Sequence, residues 1–548
     1  MVEIDTLAFI YVPLGIAAVV ALLIMSHIRR RGDLERGLRD SFGKQPKEAK
    51  HLPNGVETYR LYRAKNSDTA RHIDGITWDD LDMDLVFGRI NTCQTSVGEE
   101  YLYNCLHEPH FDQSHLLARE AFISTLKQNP EARLKIQMCL AGAGKLDFNG
   151  MADMIYHSRE RLLKFPLVYT VLSVVPVLCL LAIFAGFQVG IFCLLGSSLA
   201  NAAVYLITKR KIENSFSTIK YFSSLLWCCG KLCKMENLKA EPYIIQLRRL
   251  FFVFKPLMSK GAAISQNFSD GFLGIIYEYL QMLFLAGVRR YNRVISGIAK
   301  NTGEFHELYK TLGEIDLAVC VLSFRESLPF SSTPVFHGEN TIIFEDVYHP
   351  LLLAPVTNSG TIKNNSIITG SNASGKSTFI KSLAVNGILA QTIFSCAAKG
   401  FSTGFALVMS SMAVRDSISE GESYFVTEIK SLKRILEKIK TVRCACYIDE
   451  ILRGTNTTER IAASAAVLSF LEGKNCLCVA ASHDLELARM LQGKLDNYHF
   501  REQLTDDGMV FDYKLRQGIS NTKNAIRLLR YMDFDGAIIE HAESLADK

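Results

Sequence analysis

A chain of 548 residues, 48% hydrophobic and 21% charged with only 13 Pro and 36 Gly, excludes a disordered or collagen-like protein and leaves room for roughly two to four domains with their own cores. Lys plus Arg outnumber Asp plus Glu by 61 to 56, and the net charge of +5 is too small to mark a dedicated polyanion binder. A mean hydropathy of +0.12 is high for a soluble enzyme and directs attention to apolar blocks of membrane length.

The first such block, Leu7 to Met25, holds no charged residue. At 1.5 Å per residue it spans roughly 28 Å, close to the hydrocarbon thickness of a bilayer. The acidic stretch before it and Arg29, Arg30 and Arg31 after it favour an anchor (residues 1–32) over a cleaved signal peptide. A polar linker then leads to a predicted α-helical domain, residues 33–330, interrupted by a second block, 165–208, of 44 residues without a formal charge. That is twice the length of one span, so a transmembrane hairpin is expected, turning near Gly186, Gln188 and Gly190. Arg159, Arg161 and Lys164 before it and Lys209, Arg210 and Lys211 after it place both flanks in the cytoplasm. Three spans result, in an inner or plasma membrane, with the N-terminus outside and everything after Lys209 inside. Residues 271–288 are also apolar, but Glu278 and Gln281 interrupt them, which favours a buried helix over a fourth span.

Between Lys209 and Lys260 there are eleven Lys or Arg against three Glu. Coming directly after a span, this excess suits anionic headgroups better than DNA phosphates. The aromatics Tyr221, Phe222, Trp227, Phe251, Phe252 and Phe254 lie at helical spacings among apolar neighbours and are expected in the core. The 14 Cys contain no CxxC pair, and Cys444/Cys446 and Cys476/Cys478 alternate as strand residues do, so they are read as reduced, small core residues.

The most specific pattern is Gly370-Ser371-Asn372-Ala373-Ser374-Gly375-Lys376-Ser377-Thr378, an unbroken GxxxxGK[ST]. It follows a predicted strand, 366–369, and opens a predicted helix, 379–391, the context in which backbone N–H groups and a helix N-terminus cradle phosphate. Lys376 is then placed for the β/γ-phosphates of ATP and Ser377 for Mg²⁺. Downstream an apolar strand ends in Asp449-Glu450, suited to holding Mg²⁺ and polarising water respectively. Another strand, 476–482, delivers His483, a candidate for sensing a γ-phosphate or orienting the attacking water.

These residues resemble the ATPase domain of the MutS family of DNA mismatch-repair proteins. Tyr348-His349-Pro350 is similar to the family's entry to the domain, and Thr369 to Thr378 to its TGPNxxGKST loop, with Ser371 in place of Pro and Ala373-Ser374 in place of Met-Gly. The segment 416–428 resembles GxSxFxxE, and Asp449 to Thr457 resembles DEIxRGTxT with Asn456 in place of Ser. Ala481-Ser482-His483 parallels ATH. More weakly, Asp80 to Pro109 (with Thr95, Gly98, Leu102 and Leu106) and Leu312 to Phe330 (with Asp316 and Ala318) resemble the helical core, and the stretch from Tyr513 resembles the closing segment. The membrane hairpin occupies a region comparable to the family's DNA-gripping insertion, and the mismatch-reading module has no counterpart ahead of Asp80.

The resemblance, together with the apolar blocks, implies a mixed fold: a helical lever-like core with three transmembrane helices, then an α/β P-loop ATPase domain with a mainly parallel sheet, residues 331–548, closed by a helical dimerisation segment. It implies a homodimer with composite ATP sites in which Ser423 reaches the nucleotide of the opposite subunit. It also implies ATP and Mg²⁺ as cofactors, Glu450 and His483 as catalytic groups, Ser377 and Asp449 as metal ligands, and DNA as an inherited partner. Two alternatives stand beside it: an ATP-driven membrane switch acting on a protein or lipid client, and an ABC-type transporter. The transporter suits three spans poorly and finds no LSGGQ-like signature in the chain.

Overall fold

A computed structural model describes residues 3–46, 58–63, 71–146, 150–265, 279–371, 374–412, 424–452, 455–505, 508–519, 530, 532 and 534–546. In chain order its helical half comprises α1 (Glu3–Ser41), α2 (Gly75–Asp80), α3 (Met83–Ile90), α4 (Ser96–His107), α5 (Ser114–Gln128), α6 (Pro130–Ala143), α7 (Gly150–His157), α8 (Pro166–Phe184), α9 (Val189–Leu232), α10 (Pro242–Ser265), α11 (Ala286–Lys300) and α12 (Thr302–Glu326). The second half comprises β1 (Val335–Phe336), β2 (Ile342–Val347), β3 (Asn358–Ile362), β4 (Ser366–Thr369), α13 (Lys376–Ile393), β5 (Gly400–Thr403), β6 (Leu407–Ser411), α14 (Tyr424–Lys438), β7 (Cys444–Asp449), α15 (Thr457–Leu471), β8 (Cys476–Ser482), α16 (Leu485–Met490), β9 (Asp496–Thr505), β10 (Gly508–Gln517) and α17 (Gly536–Ala546).

Helix α12, buried almost throughout from Phe305 to Phe324, is the axis of the helical half. Helix α4 lies against it so closely that a Cβ on Gly313 would fall 2.5 Å from the Tyr101 ring. At the start of α4, Thr95 acts as N-cap by accepting from Gly98 N. The Thr95 amide and hydroxyl both donate to the Asp316 carboxylate of α12. The core residues singled out in the sequence, Thr95, Gly98 and Asp316, therefore form one buried knot, and burial raises the Asp316 carboxyl to about 6.

Helices α8 and α9 form the expected hairpin. The chain turns at Gly186, with φ +87°, and the helices approach so tightly that a Cβ on Gly190 would lie 2.9 Å from Ile183. Asn201 of α9, fully buried, donates to the carbonyls of Leu172 in α8 and Leu283 at 2.9 and 2.7 Å. Otherwise the hairpin is bare: Leu167 is 78% exposed and Phe184 88%.

Three expectations are modified. Among the described residues two segments, Pro166–Phe184 and Val189–Ile212, are long and apolar enough to cross a membrane, not three. The first apolar run is part of α1, which continues unbroken to Ser41, and most side chains between Leu7 and Val20 lie outside the described residues. Of the stretch 271–288, residues 271–278 lie outside the described residues, Tyr279 and Leu280 are exposed, and Leu285 and Val288 pack with Tyr205 against the hairpin. It is therefore a companion of the hairpin as much as a core helix. Within the basic stretch, α9 runs on to Leu232, so Lys220 and Lys231 rise about 1.5 Å per residue away from Thr208, while Lys209, Arg210 and Lys211 directly follow the apolar segment. Of the aromatics in that region, Trp227 and Phe252 are exposed rather than in the core, each with a lysine, Lys231 and Lys255, over its ring.

The second half has two sheets where one was expected. The smaller, ordered β1-β5-β2-β3, mixes parallel and antiparallel pairs. The larger, β10-β9-β4-β8-β7-β6, is parallel except for its edge strand β10. Strands β4, β7 and β8 are buried at every residue, as parallel strands covered on both faces must be, which is why they read as continuous apolar runs. Cys444 and Cys446 stand opposite Cys476 and Cys478 in this interior, and all 14 cysteines are free thiols. The buried apolar cluster runs unbroken from Tyr59 to Phe500, joining the helical half to the sheets through α13.

Candidate functional site

Strand register brings the chemistry together. Thr369, the last residue of β4, pairs with Ser482 of β8, and Asp449, the last of β7, pairs with Ala481. The three strands thus end at one level, and the Gly370–Thr378 loop, His483 and Glu450 leave the same sheet edge, where ligands of open parallel sheets are bound.

In the loop, Gly370 has φ +144° and Gly375 φ +97°. A Cβ on Gly370 would lie 2.8 Å from Ser374 Oγ and 3.0 Å from Phe500 O, and one on Gly375 would lie 3.0 Å from Tyr513 Cδ1. Both glycines are thus required by conformation and by space. Ser374 donates from its amide and hydroxyl to Ser371 O at 3.2 and 2.7 Å. Helix α13 begins at Lys376, so the amides of its first turn point into the loop without an intrahelical acceptor. Lys376 is 1% exposed, and its Nζ donates to the carbonyls of Gly370 and Ser371, the latter at 2.7 Å. Ser377 is half-buried and Thr378 exposed on the same turn.

Asp449 and Glu450 are both buried. Glu450 and Leu452 adopt positive φ, 57° and 58°, so the chain bends sharply as it leaves β7. The Glu450 amide remains tied to Ala481 O at 3.0 Å. His483 Nδ1 stands 3.4 Å from Glu450 Oε1, and this partner raises the imidazole above its ordinary value. Next to it, Asp484 takes both branches of the Arg460 guanidinium at 3.0 and 2.9 Å, pinning α15 beside the strand ends. Asn456 caps α15 by accepting from Glu459 N at 2.9 Å, a task either Asn or the family's Ser performs. Asn372, Ala373, Arg453, Gly454 and the segment 413–423, including Ser423, lie outside the described residues.

Next to the loop opens a cavity of about 410 Å³, within the range of small-molecule sites. Gly375, Thr378 and Phe379 form its side next to the loop, and Tyr348, His349, Val356, Asn358, Phe500 and Tyr513 are among the residues completing its wall. Tyr348 is held by its hydroxyl, which donates to Phe330 O at 2.6 Å, and by its carbonyl, which accepts from Asn386 of α13 at 3.0 Å. Burial pulls His349 down to about 4, keeping it neutral. Asn358 bonds Tyr513 O and Leu515 N at 3.0 and 2.7 Å, fastening β3 to the irregular stretch of β10. The phosphate-loop residues, Asp449, Glu450 and His483 were named from sequence; Asn358, Phe500 and Tyr513 were not named as site residues. Their only local signal is an aromatic or amide in a strand, which is too common to single them out.

The arrangement fits a magnesium nucleotide. The glycine cradle would be filled by any Cβ, a buried ammonium lies under the loop, a buried carboxylate ends β7 at the same sheet edge, and a cavity of suitable size adjoins the loop. The family described as MutS domain V matches residues 366–548. DNA mismatch repair protein MutS of Pseudothermotoga lettingae is 27% identical over 269 residues, 47% of this chain and 33% of that protein. MutS protein homolog 4 of Mus musculus is 31% identical over 236 residues, 40% of this chain and 24% of its own length. DNA mismatch repair protein MSH3 of Phaeosphaeria nodorum is 27% identical over 282 residues, covering 48% and 25%. The chain thus spans a quarter to a third of the length of these relatives. Over residues 366–548, where motif, strand register and similarity coincide, this chain carries a MutS domain V.

Proposed function

We propose that this protein is a membrane-held ATPase of the MutS type that works as a homodimer. The observation that carries the reading is the common level of the β4, β7 and β8 ends, which sets a glycine loop, two carboxylates and a histidine at one edge of the sheet. Lys376 and the first-turn amides of α13 would hold the β- and γ-phosphates, and Ser377 and Asp449 would hold Mg²⁺, which supplies charge neutralisation when bound. Glu450, oriented by the bend after β7 and by His483, would take a proton from water, and His483 would report the γ-phosphate. Tyr348 and His349 would bound the base end of the nucleotide. Ser423 would complete the site from the opposite subunit.

The α8–α9 hairpin would hold the chain in an inner or plasma membrane as a multi-pass protein. Its two flanks meet where Arg161 donates to Ser215 at 2.5 Å, so both ends would lie on one side of the membrane, which the flanking Lys and Arg would make the cytoplasmic one. Two clients fit this switch: DNA, which the relatives' names invoke, and a protein or lipid client, which the exposed hairpin favours. A salt-dependent gel shift separates them, since no shift at low salt eliminates DNA.

Glu450→Ala is expected to retain nucleotide binding and to slow turnover about 10²- to 10⁴-fold; unaltered hydrolysis removes the assigned role. Mixed dimers of Ser423→Ala with Lys376→Ala subunits should regain activity through one intact composite site, and no recovery in demonstrated mixed dimers refutes the action in trans.

A further inference from the structure

Beside the α8–α9 hairpin lies a third apolar element. Residues 279–283 are helical, the chain breaks at Phe284 and Leu285, the latter with φ +47°, and α11 starts at Ala286. Tyr279 and Leu280 are exposed, at 64% and 47%, as the apolar residues of the hairpin are. Leu285 and Val288 are buried and pack with Tyr205, with Tyr169, Leu172 and Met282 around them.

What holds this element is backbone that two helices leave unpaired. Pro176 inside α8 has no N–H, so the carbonyl of Leu172, four residues back, loses its helical donor. The break after Leu283 ends its helical stretch and likewise frees a carbonyl. Asn201, fully buried, donates from its amide nitrogen to these two carbonyls, at 2.9 and 2.7 Å. In a hydrocarbon layer, where water supplies no substitute, such freed carbonyls need a donor from the protein itself. Arg289 makes a second tie: its Nη1 donates to Ser173 Oγ at 2.8 Å, and the Ser173 hydroxyl donates to Thr170 O at 2.7 Å. The guanidinium thus reaches into the hairpin, the placement that charged groups at membrane depth adopt.

The level of these ties decides where the element lies. Asn201 falls at the centre of the apolar segment Val189–Ile212, and Ser173 close to the centre of Pro166–Phe184. At the base of the hairpin, Tyr291 donates to Arg161 O at 3.2 Å and Asn292 accepts from Leu163 N at 3.3 Å. From its middle back to its start, α11 therefore runs from the base of the hairpin to half its height. Along a helix Tyr279 is about 6 Å from Leu283, less than the roughly 15 Å from mid-plane to the edge of a bilayer's hydrocarbon, whichever way it points. Helix α10 before the element and α12 after it both contribute to the core of the helical half, so the chain enters and leaves on one side.

We propose that residues 279–289 form a re-entrant membrane element: a broken helix that reaches mid-depth beside the hairpin, tied there by Asn201 and Arg289 and covered by lipid acyl chains at Tyr279 and Leu280. Lipid is the occupant because this patch adjoins the exposed apolar surface of the hairpin at the same level. The inference rests on membrane insertion of the hairpin.

The test places a tryptophan at one of three exposed positions in the full chain: Tyr279→Trp, Leu178→Trp on the hairpin, and Phe252→Trp on α10 in the helical half. Each variant is reconstituted in vesicles of phosphatidylcholine and phosphatidylglycerol with or without bromine near the middle of the acyl chains, and the emission it adds to that of Trp78 and Trp227 is read by difference. Tyr279→Trp and Leu178→Trp should each lose at least about half of the added emission to brominated lipid, and Phe252→Trp less than about a tenth. Asn201→Leu in the Tyr279→Trp chain should lower that quenching at least about twofold, and in the Leu178→Trp chain leave it unchanged. If Tyr279→Trp is quenched no more than Phe252→Trp while Leu178→Trp is quenched, the re-entrant element is overturned and the hairpin stands. If Leu178→Trp is not quenched either, membrane insertion of the hairpin itself fails and the element falls with it. Undiminished quenching in the Asn201→Leu chain removes Asn201 as the tie.

Discussion

The α8–α9 hairpin and the junction between the helical half and α13 break the usual partition of residues in opposite ways. The hairpin exposes Leu167, Phe184, Phe192 and Leu199, all apolar, while the junction buries Arg119 and Glu314, both charged. Each is intelligible only through a partner. At the junction the partner is inside the molecule: Glu314 neutralises Arg119, whose remaining branch reaches the Thr392 carbonyl, and nearby Arg325 pairs with Glu120 and caps Phe394 O at 2.8 Å. At the hairpin the described residues supply no such cover, apart from the small cluster of Tyr205, Leu285 and Val288. Hydropathy alone therefore does not separate a core from a membrane segment; what covers the residues does, since β7 and β8 are as apolar and fully enclosed.

The sharpest way to break the comparison is to charge the hairpin. Leu181→Arg with Leu195→Arg places two guanidinium groups on its exposed face. In a bilayer each costs about 2.5–3.5 kcal/mol on insertion scales, so the double variant should leave the membrane fraction on alkaline extraction while the parent chain stays. A parent chain that is itself extracted would mean that something other than lipid covers these residues.

A smaller effect is expected where charge is buried. Arg119→Met strands Glu314 beside Tyr101 and His115 and should lower unfolding stability by about 3–5 kcal/mol. Arg119→Met with Glu314→Gln should recover most of the loss in a denaturant melt. If the double variant is as unstable as the single, the two residues act separately and the pair does not organise the junction.

Local patterns were legible because their meaning is local: a loop between strand and helix needs glycines in place, and two carboxylates at a strand end announce themselves. The hairpin was legible for the same reason, as one uninterrupted apolar run. Arg119 and Glu314, 195 residues apart, carry no mark of their pairing in the sequence, and neither do Asn358, Phe500 and Tyr513, which only sheet register brings to one cavity. The positive φ at Glu450 and Leu452 was equally hidden, because neither residue type signals a left-handed bend. The second sheet was missed because its strands are half-exposed rather than continuous apolar runs: β2 alternates buried and exposed residues, β3 is buried only at its two ends, and β1 has two residues.

The finest probe of the buried charges is pH. Glu100 is fully enclosed, and desolvation raises its carboxyl to about 7 against the accepting bond from Tyr309 and the contact with Thr58; Glu99 nearby pushes in the same direction. In the unfolded chain the group titrates near its ordinary 4.5. The folded state therefore binds the proton more tightly, and stability falls as pH rises through the folded value, by about 1 kcal/mol between pH 6 and pH 8 for this group. Asp316, raised to about 6, adds a smaller decline in the same sense, mostly below pH 7. Glu100→Gln should flatten the melting temperature across that interval while leaving the Asp316 part. A slope unchanged in Glu100→Gln would show that the charge is absorbed by its surroundings, so that this end of the helical half resembles the fully paired Arg119–Glu314 junction rather than a site of stored cost.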